Sequence, residues 1–167
     1  MTTTKSQGRA ISQNSAIKMD ETFKALLTKG VPLYVTRGLA KQDLDALYVT
    51  AYNLYSDKKY KEALPIFEAM TFYNHFDKRG WLGSAACCQV LCRYEDALSC
   101  YSSVALLDGN DPLPLFHSVE CYFALKKYPE ALSALEAVLL LTKKNPEFAH
   151  LKNWATKMKE TLQKDAK

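Results

Sequence analysis

Tyr-Lys-Glu-Ala at Tyr60–Ala63, Tyr-Glu-Asp-Ala at Tyr94–Ala97 and Tyr-Pro-Glu-Ala at Tyr128–Ala131 begin 34 residues apart. This recurrence constrains the chain more than any local propensity does. A unit of about 34 residues accommodates two helices and two turns, yet cannot bury its own apolar face. Four residues after each alanine stand Phe67, Tyr101 and Leu135, and seven after it stand Met70, Val104 and Val138. Side chains at these spacings share one helical stripe, so each milestone opens an amphipathic helix.

Upstream of each milestone the same interval defines a second helix. Leu47, Trp81 and Leu115 coincide, then Ala51, Ala85 and Val119, then Leu54, Cys88 and Tyr122. Large, small and large side chains on one face suit two closely crossing helices. Short turns separate the paired helices at Asp57-Lys58-Lys59, Leu91-Cys92-Arg93 and Leu125-Lys126-Lys127. Breakers separate one pair from the next at His75–Asp77, Asp108–Pro112 and Lys144-Asn145-Pro146. Pro112 and Pro146 fall where a helix begins and a missing N–H costs least.

This is the helix–turn–helix pattern of the tetratricopeptide repeat. The expected fold is all-α, a right-handed superhelix of three such repeats (44–77, 78–111 and 112–145) with flanking helices at both ends. The repeat's usual glycine is replaced by Ala51, Ala85 and Val119, and Gly83, two residues before Ala85, is read as no substitute for it. Residues 146–167 form a capping helix with Phe148, Leu151, Ala155, Met158 and Leu162 as its buried stripe. Residues 16–43 form an N-terminal helical region, its first helix closed by Gly30 ahead of the Val31-Pro32 break. Residues 1–15 are expected to be disordered.

Charge placement bears on partners. Residues 1–43 carry seven Lys/Arg against three acids, and residues 143–167 the same, so the net +4 leaves the span between them at −4. An acidic repeat region is the wrong sign for a nucleic-acid groove. No apolar run approaches the ~18 residues of a spanning helix, and the polar N-terminus lacks the apolar segment of a secretory signal. Membrane insertion is therefore not expected. The five cysteines, Cys87, Cys88, Cys92, Cys100 and Cys121, are odd in number and clustered, which makes a poor disulfide framework and points to a reducing compartment.

Cys88/Cys92 and His117/Cys121 are each four apart and could chelate a metal from one helical face. Cys88, however, holds a packing position shared with Leu54 and Tyr122, where a thiol serves as a small hydrophobe. Phosphate-binding loops and paired-carboxylate motifs are missing from the sequence. Glu62, Glu95, Asp96 and Glu130 open second helices, where the helix dipole favours negative charge. The reading is a protein without catalytic residues, metal or cofactor.

What the repeat core leaves over lies on the first helices, which line the inner wall of such a stack. Repeat one offers Tyr48, Tyr52 and Tyr55; repeat two offers Arg79, Leu82, Ala86 and Gln89; repeat three offers Leu113, Phe116, Glu120 and Phe123. Two readings stay open. Either the aromatics are spent on one another or on the N-terminal helix, or they line a groove for an extended apolar peptide, with the Tyr hydroxyls and Gln89 catching backbone groups and Ala86 leaving a pocket. Grooves that clamp a terminal carboxylate use Lys, Arg and Asn on this wall, so an acidic tail does not fit.

The phrases AYNLY (Ala51–Tyr55), WLGSAACCQ (Trp81–Gln89) and FHSVECY (Phe116–Tyr122) carry a closer likeness. Over about Gly38–Leu141 the chain resembles the class II chaperones of bacterial type III secretion, although the CCxxxC of repeat two departs from their usual wording. The resemblance implies a bacterial cytoplasmic, non-enzymatic chaperone whose concave face holds an extended segment of a hydrophobic translocator protein. It implies Tyr48, Tyr52, Tyr55, Tyr60, Leu82, Ala86, Gln89 and Phe116 as groove residues, beside the Glu120 and Phe123 placed there by the register, and homodimerisation through the N-terminal region. Because a client must be released for secretion, affinity for an isolated peptide is expected on the order of micromolar. The alternative is a general tetratricopeptide scaffold joining folded proteins through its convex face or ends.

Overall fold

The computed structural model describes residues 30, 32–143 and 146–165. Its helices are α1 (Leu33–Thr36), α2 (Lys41–Ser56), α3 (Tyr60–Tyr73), α4 (Lys78–Val90), α5 (Tyr94–Leu107), α6 (Leu113–Ala124), α7 (Tyr128–Thr142) and α8 (Ala149–Asp165), with a 3-10 turn at Pro146–Phe148. No strand occurs among the described residues. The proposed N-terminal tail and the helix ahead of Gly30 lie outside the described residues. The short α1, which follows Pro32 directly, was not foreseen.

From α2 onward each helix packs on the next in sequence, as a solenoid requires: α2 on α3, α3 on α4, and so through to α8 on α7, while α1 touches α3. The small residue of the large-small-large pattern is sealed in all three repeats, with Ala51, Ala85 and Val119 fully buried beside Ala63, Ala97 and Ala131. One apolar cluster joins the first two repeats around Phe67, Met70, Cys88 and Tyr101. A second joins the third repeat to α8 around Leu135, Val138 and Ala155. Leu151 and Ala155 are buried, and Met158 and Leu162 pack partly beneath, so α8 caps the stack.

The turn inside each repeat is the same structure three times. The chain enters the left-handed region at Lys58 (φ 63°), Cys92 (φ 60°) and Lys126 (φ 58°). The N–H groups of Lys59, Arg93 and Lys127 then donate back to the carbonyls of Leu54, Cys88 and Tyr122 at 2.8, 2.8 and 2.9 Å. This paired closure satisfies the orphan carbonyls at a helix C-terminus. At the surface Lys78–Asp108 at 2.9 Å joins the two ends of repeat two, and Lys127–Glu95 at 2.7 Å ties repeat three to repeat two.

One sequence reading is extended here. Gly83 does not take the place of the repeat's usual glycine, which buried Ala85 fills, but it has a packing role of its own. A Cβ at this position would stand 2.3–2.5 Å from the Phe67 ring, so the bare helix surface is what lets that ring lie flat on α4. Gly80, one turn earlier, gives the same close passage to Met70 and Thr71, with a Cβ 3.1 Å from each.

Candidate inner-wall groove

The register places Tyr48, Tyr52 and Tyr55 on α2 and Leu82 and Ala86 on α4. The structure brings these five side chains together around one pocket of about 220 Å³, completed by Phe67, Gly83 and Arg79. Phe67 is the floor, reached because Gly83 has no side chain. Tyr52 is 53% exposed at the rim. Tyr48 lies 5.9 Å from Tyr52 and 6.4 Å from Phe67 between ring centroids. Tyr60 does not line the pocket but backs Tyr55, its ring 5.1 Å from that of Tyr55 and edge-on to it. Burial, and next the neighbouring Tyr60, raise the Tyr55 phenol above its ordinary value.

Arg79 gives this wall its rigidity. Its guanidinium bonds Asp77 at 2.6 Å and Asp45 at 2.8 Å, and its carbon stands 4.9 Å above the Tyr48 ring. Asp77 also caps α4 by accepting from the Arg79 N–H at 3.1 Å. Burial alone would raise the Asp77 carboxyl, but the bonds from Arg79 outweigh it and hold the group below its ordinary value. A second, wider cleft of about 1010 Å³ continues from Tyr48 and Arg79 past Asp45, Val49, Asn74 and Phe76.

The remaining candidates are not gathered into this pocket. Gln89 and Glu120 meet further along the wall: Gln89 Nε2 donates to Glu120 Oε2 at 3.0 Å. The Tyr101 hydroxyl donates to Gln89 Oε1 at 2.7 Å, and His117 Nδ1 lies 2.9 Å from Glu120 Oε2. The rings of Tyr101 and His117 stack 5.4 Å apart. Bonds from His117, and next from Gln89, lower the Glu120 carboxyl against its partial burial. Phe116 is half-buried, its ring 4.6 Å from Trp154 of α8. Phe123 faces Tyr128 at 6.3 Å. Thus the two readings left open for the aromatics divide by repeat: packing claims those of repeat three, and the tyrosines of repeat one border open space.

Sequence reasoning gave Tyr101, Phe67 and Gly83 no place in the groove. Tyr101 carried a usable signal, since a phenol where the sister repeats have Phe67 and Leu135 needs a hydrogen-bond partner. His117, weighed as a metal ligand with Cys121, turns instead to Glu120, while Cys121 is buried. Among the described residues no three of His, Cys, Asp or Glu gather as a metal would require. Burial pushes the Cys87, Cys100 and Cys121 thiols up to about 11, so these are packing groups and poor nucleophiles. No described helix is long and apolar enough to cross a membrane.

Stacked helix pairs with an inner-wall groove define a tetratricopeptide-repeat protein, and the tetratricopeptide repeat family matches residues 93–155. A type III secretion complex from Aeromonas hydrophila contains a chain 31% identical, superposing with a TM-score of 0.81 over 87% of this chain and 97% of that one. The Yersinia enterocolitica type III secretion chaperone SycD, in complex with a peptide of the translocator YopD, is 32% identical with a TM-score of 0.72 over 77% of this chain and 98% of that one. Low calcium response locus protein H of Yersinia pestis is 31% identical over 72 residues, a stretch spanning 43% of this chain and 43% of that relative's length. The chain belongs to the tetratricopeptide-repeat translocator chaperones of type III secretion.

Proposed function

We propose that this protein is a cytoplasmic, non-enzymatic chaperone of bacterial type III secretion that holds an extended segment of a hydrophobic translocator in its inner-wall groove, preventing aggregation and premature association before secretion. The observation that carries the reading is the open pocket of Tyr48, Tyr52, Tyr55, Leu82 and Ala86 over Phe67. It is apolar, rimmed by phenols and wide enough for one aliphatic side chain. Such a pocket binds a segment through a side-chain anchor while phenol groups meet its backbone, without folding the client. The peptide seated on SycD supports the same use of the fold. Homodimerisation through the N-terminal region belongs to this proposal.

A specific observation favours the scaffold reading as a second possibility. Phe72, Leu106 and Leu140 stand 34 residues apart on the second helices and are 68%, 89% and 71% exposed. Three large apolar side chains at one repeat position form a ladder suited to a partner. The two readings separate by coexpression with a membrane-inserting translocator and quantification of the copurified complex. Ala86→Phe, which fills the pocket, combined with Tyr52→Ala is expected to reduce capture at least tenfold, while Leu106→Lys leaves it unchanged. Capture lost only with Leu106→Lys would transfer the function to the outer ladder.

A further inference from the structure

The hydrogen-bond chain in the third repeat fixes more than local packing. A carboxylate can only accept, so Gln89 must turn its amide N–H toward Glu120 and its carbonyl oxygen toward the Tyr101 hydroxyl. By the same argument His117 Nδ1 carries the proton in its bond to Glu120. Both bonds end on Oε2, and Glu120 Oε1 has no partner among the described residues. The Glu120 side chain is 40% exposed. The result is a carboxylate locked in place from three helices, α4, α5 and α6, with one oxygen open on the wall.

The register says where that oxygen lies relative to the apolar pocket. Glu120 occupies the position held by Tyr52 in repeat one and Ala86 in repeat two, 34 residues apart each time. The pocket at Tyr52 and Ala86 and the carboxylate at Glu120 are successive rungs of one ladder. Gln89 of α4 bonds Glu120 of α6 directly, which sets the two rungs about one helix diameter, roughly 10 Å, apart, and an extended chain advances about 3.3 Å per residue. One rung therefore corresponds to roughly three residues of a client lying across the wall. Arg79, the cation that the register puts on the α4 wall, sits ten residues before Gln89, about 15 Å along the helix, and is already held by Asp45 and Asp77. It does not offset Glu120.

We propose that Glu120 reads a basic residue in the client, a Lys or Arg two to four positions from the aliphatic side chain that fills the tyrosine pocket. This rests on the groove reading above and adds the chemical class of the client segment: apolar with one cation in register. Gln89 and His117 act as positioning residues, since they hold the carboxylate without needing to touch the client. Tyr101, pushed up by burial, stays a donor and keeps Gln89 from turning over.

The test uses the full chain and fluorescein-labelled twelve-residue peptides, each with one leucine flanked by proline in a serine–glycine host. Lys, Gln or Glu is placed two, three or four residues to either side of the leucine. Anisotropy titrations are run on the wild type, Glu120→Gln and Glu120→Lys, with thermal melts to show that each variant is folded. An ion pair of this exposure is worth up to about fivefold in affinity. The expected result is that wild type prefers the Lys peptide to the Glu peptide by about that factor at low salt, at one register only. The preference vanishes in Glu120→Gln and reverses in Glu120→Lys. Equal binding of Lys, Gln and Glu peptides at every register overturns the inference while leaving the groove reading standing. Failure of every peptide to bind, the Gln series included, overturns the groove reading and this inference with it.

Discussion

The first and third repeats carry aromatics at the same inner-wall positions and use them in opposite ways. Tyr48 and Phe116 are equivalent, as are Tyr55 and Phe123, each 68 residues apart. In repeat one the tyrosines stand around an open pocket, with Tyr52 at the rim. In repeat three Phe116 is taken up by Trp154 of the capping helix, and Phe123 joins the cluster beneath it. The edge-on pairs Tyr55–Tyr60 and Phe123–Tyr128 are the same construction repeated, at 5.1 and 6.3 Å. Only repeat two breaks the series, with Gln89 in place of the aromatic, and there the wall becomes polar. A repeat fixes where a side chain points, but the neighbouring element decides whether it is core or surface.

The contrast gives its largest effect in stability. Phe116→Ala should cost about 2–3 kcal/mol, below the 3–5 of a fully buried aromatic, whereas Tyr52→Ala should stay within about 0.5. Urea denaturation of the two variants measures this directly. Equal costs would mean that the capping helix does not hold Phe116. For the same reason Phe116→Ala is a poor probe of client binding, since its effect would mix unfolding of the cap with loss of contact.

A smaller effect is expected at the boundary between the two regions. Gly83→Val forces a side chain into the Phe67 ring and should destabilise by about 1–3 kcal/mol. It should also raise the floor of the tyrosine pocket, so peptide affinity falls in step. A variant with wild-type stability would show that Phe67 can move aside freely.

The smallest effect concerns pH. The Glu120 carboxyl is held below its ordinary value chiefly by His117, so its stabilisation is present above the unfolded pKa of about 4.3 and is lost as pH falls through the lower folded value. The stability difference between wild type and Glu120→Gln should therefore be widest near neutrality and close at acid pH. A gap that grows on acidification would contradict the bonded geometry.

Much of the groove was legible in the chain because of the ruler. Once the 34-residue interval was set, Tyr48, Tyr52, Tyr55, Leu82 and Ala86 fell on one wall by helical geometry alone, and the structure places all five around one cavity. Gly83 was given no role because the repeat's glycine column falls at Ala85, while the Phe67 ring needs a bare helix surface two residues earlier. Tyr101 was read as core from its stripe, which is correct for its ring and silent about its hydroxyl.

The sequence by itself determined the period, the helix pairs, the buried alanines and the turns that close each pair, because these follow from local spacing and from chain entropy that only repeated packing can offset. Tertiary structure alone decided which aromatics remain free. Trp154 reaches Phe116 across the end of the stack, and Gln89 reaches Glu120 and Tyr101 across two helix interfaces. Contacts of that kind depend on how neighbouring helices cross, a quantity that no single helix's sequence encodes.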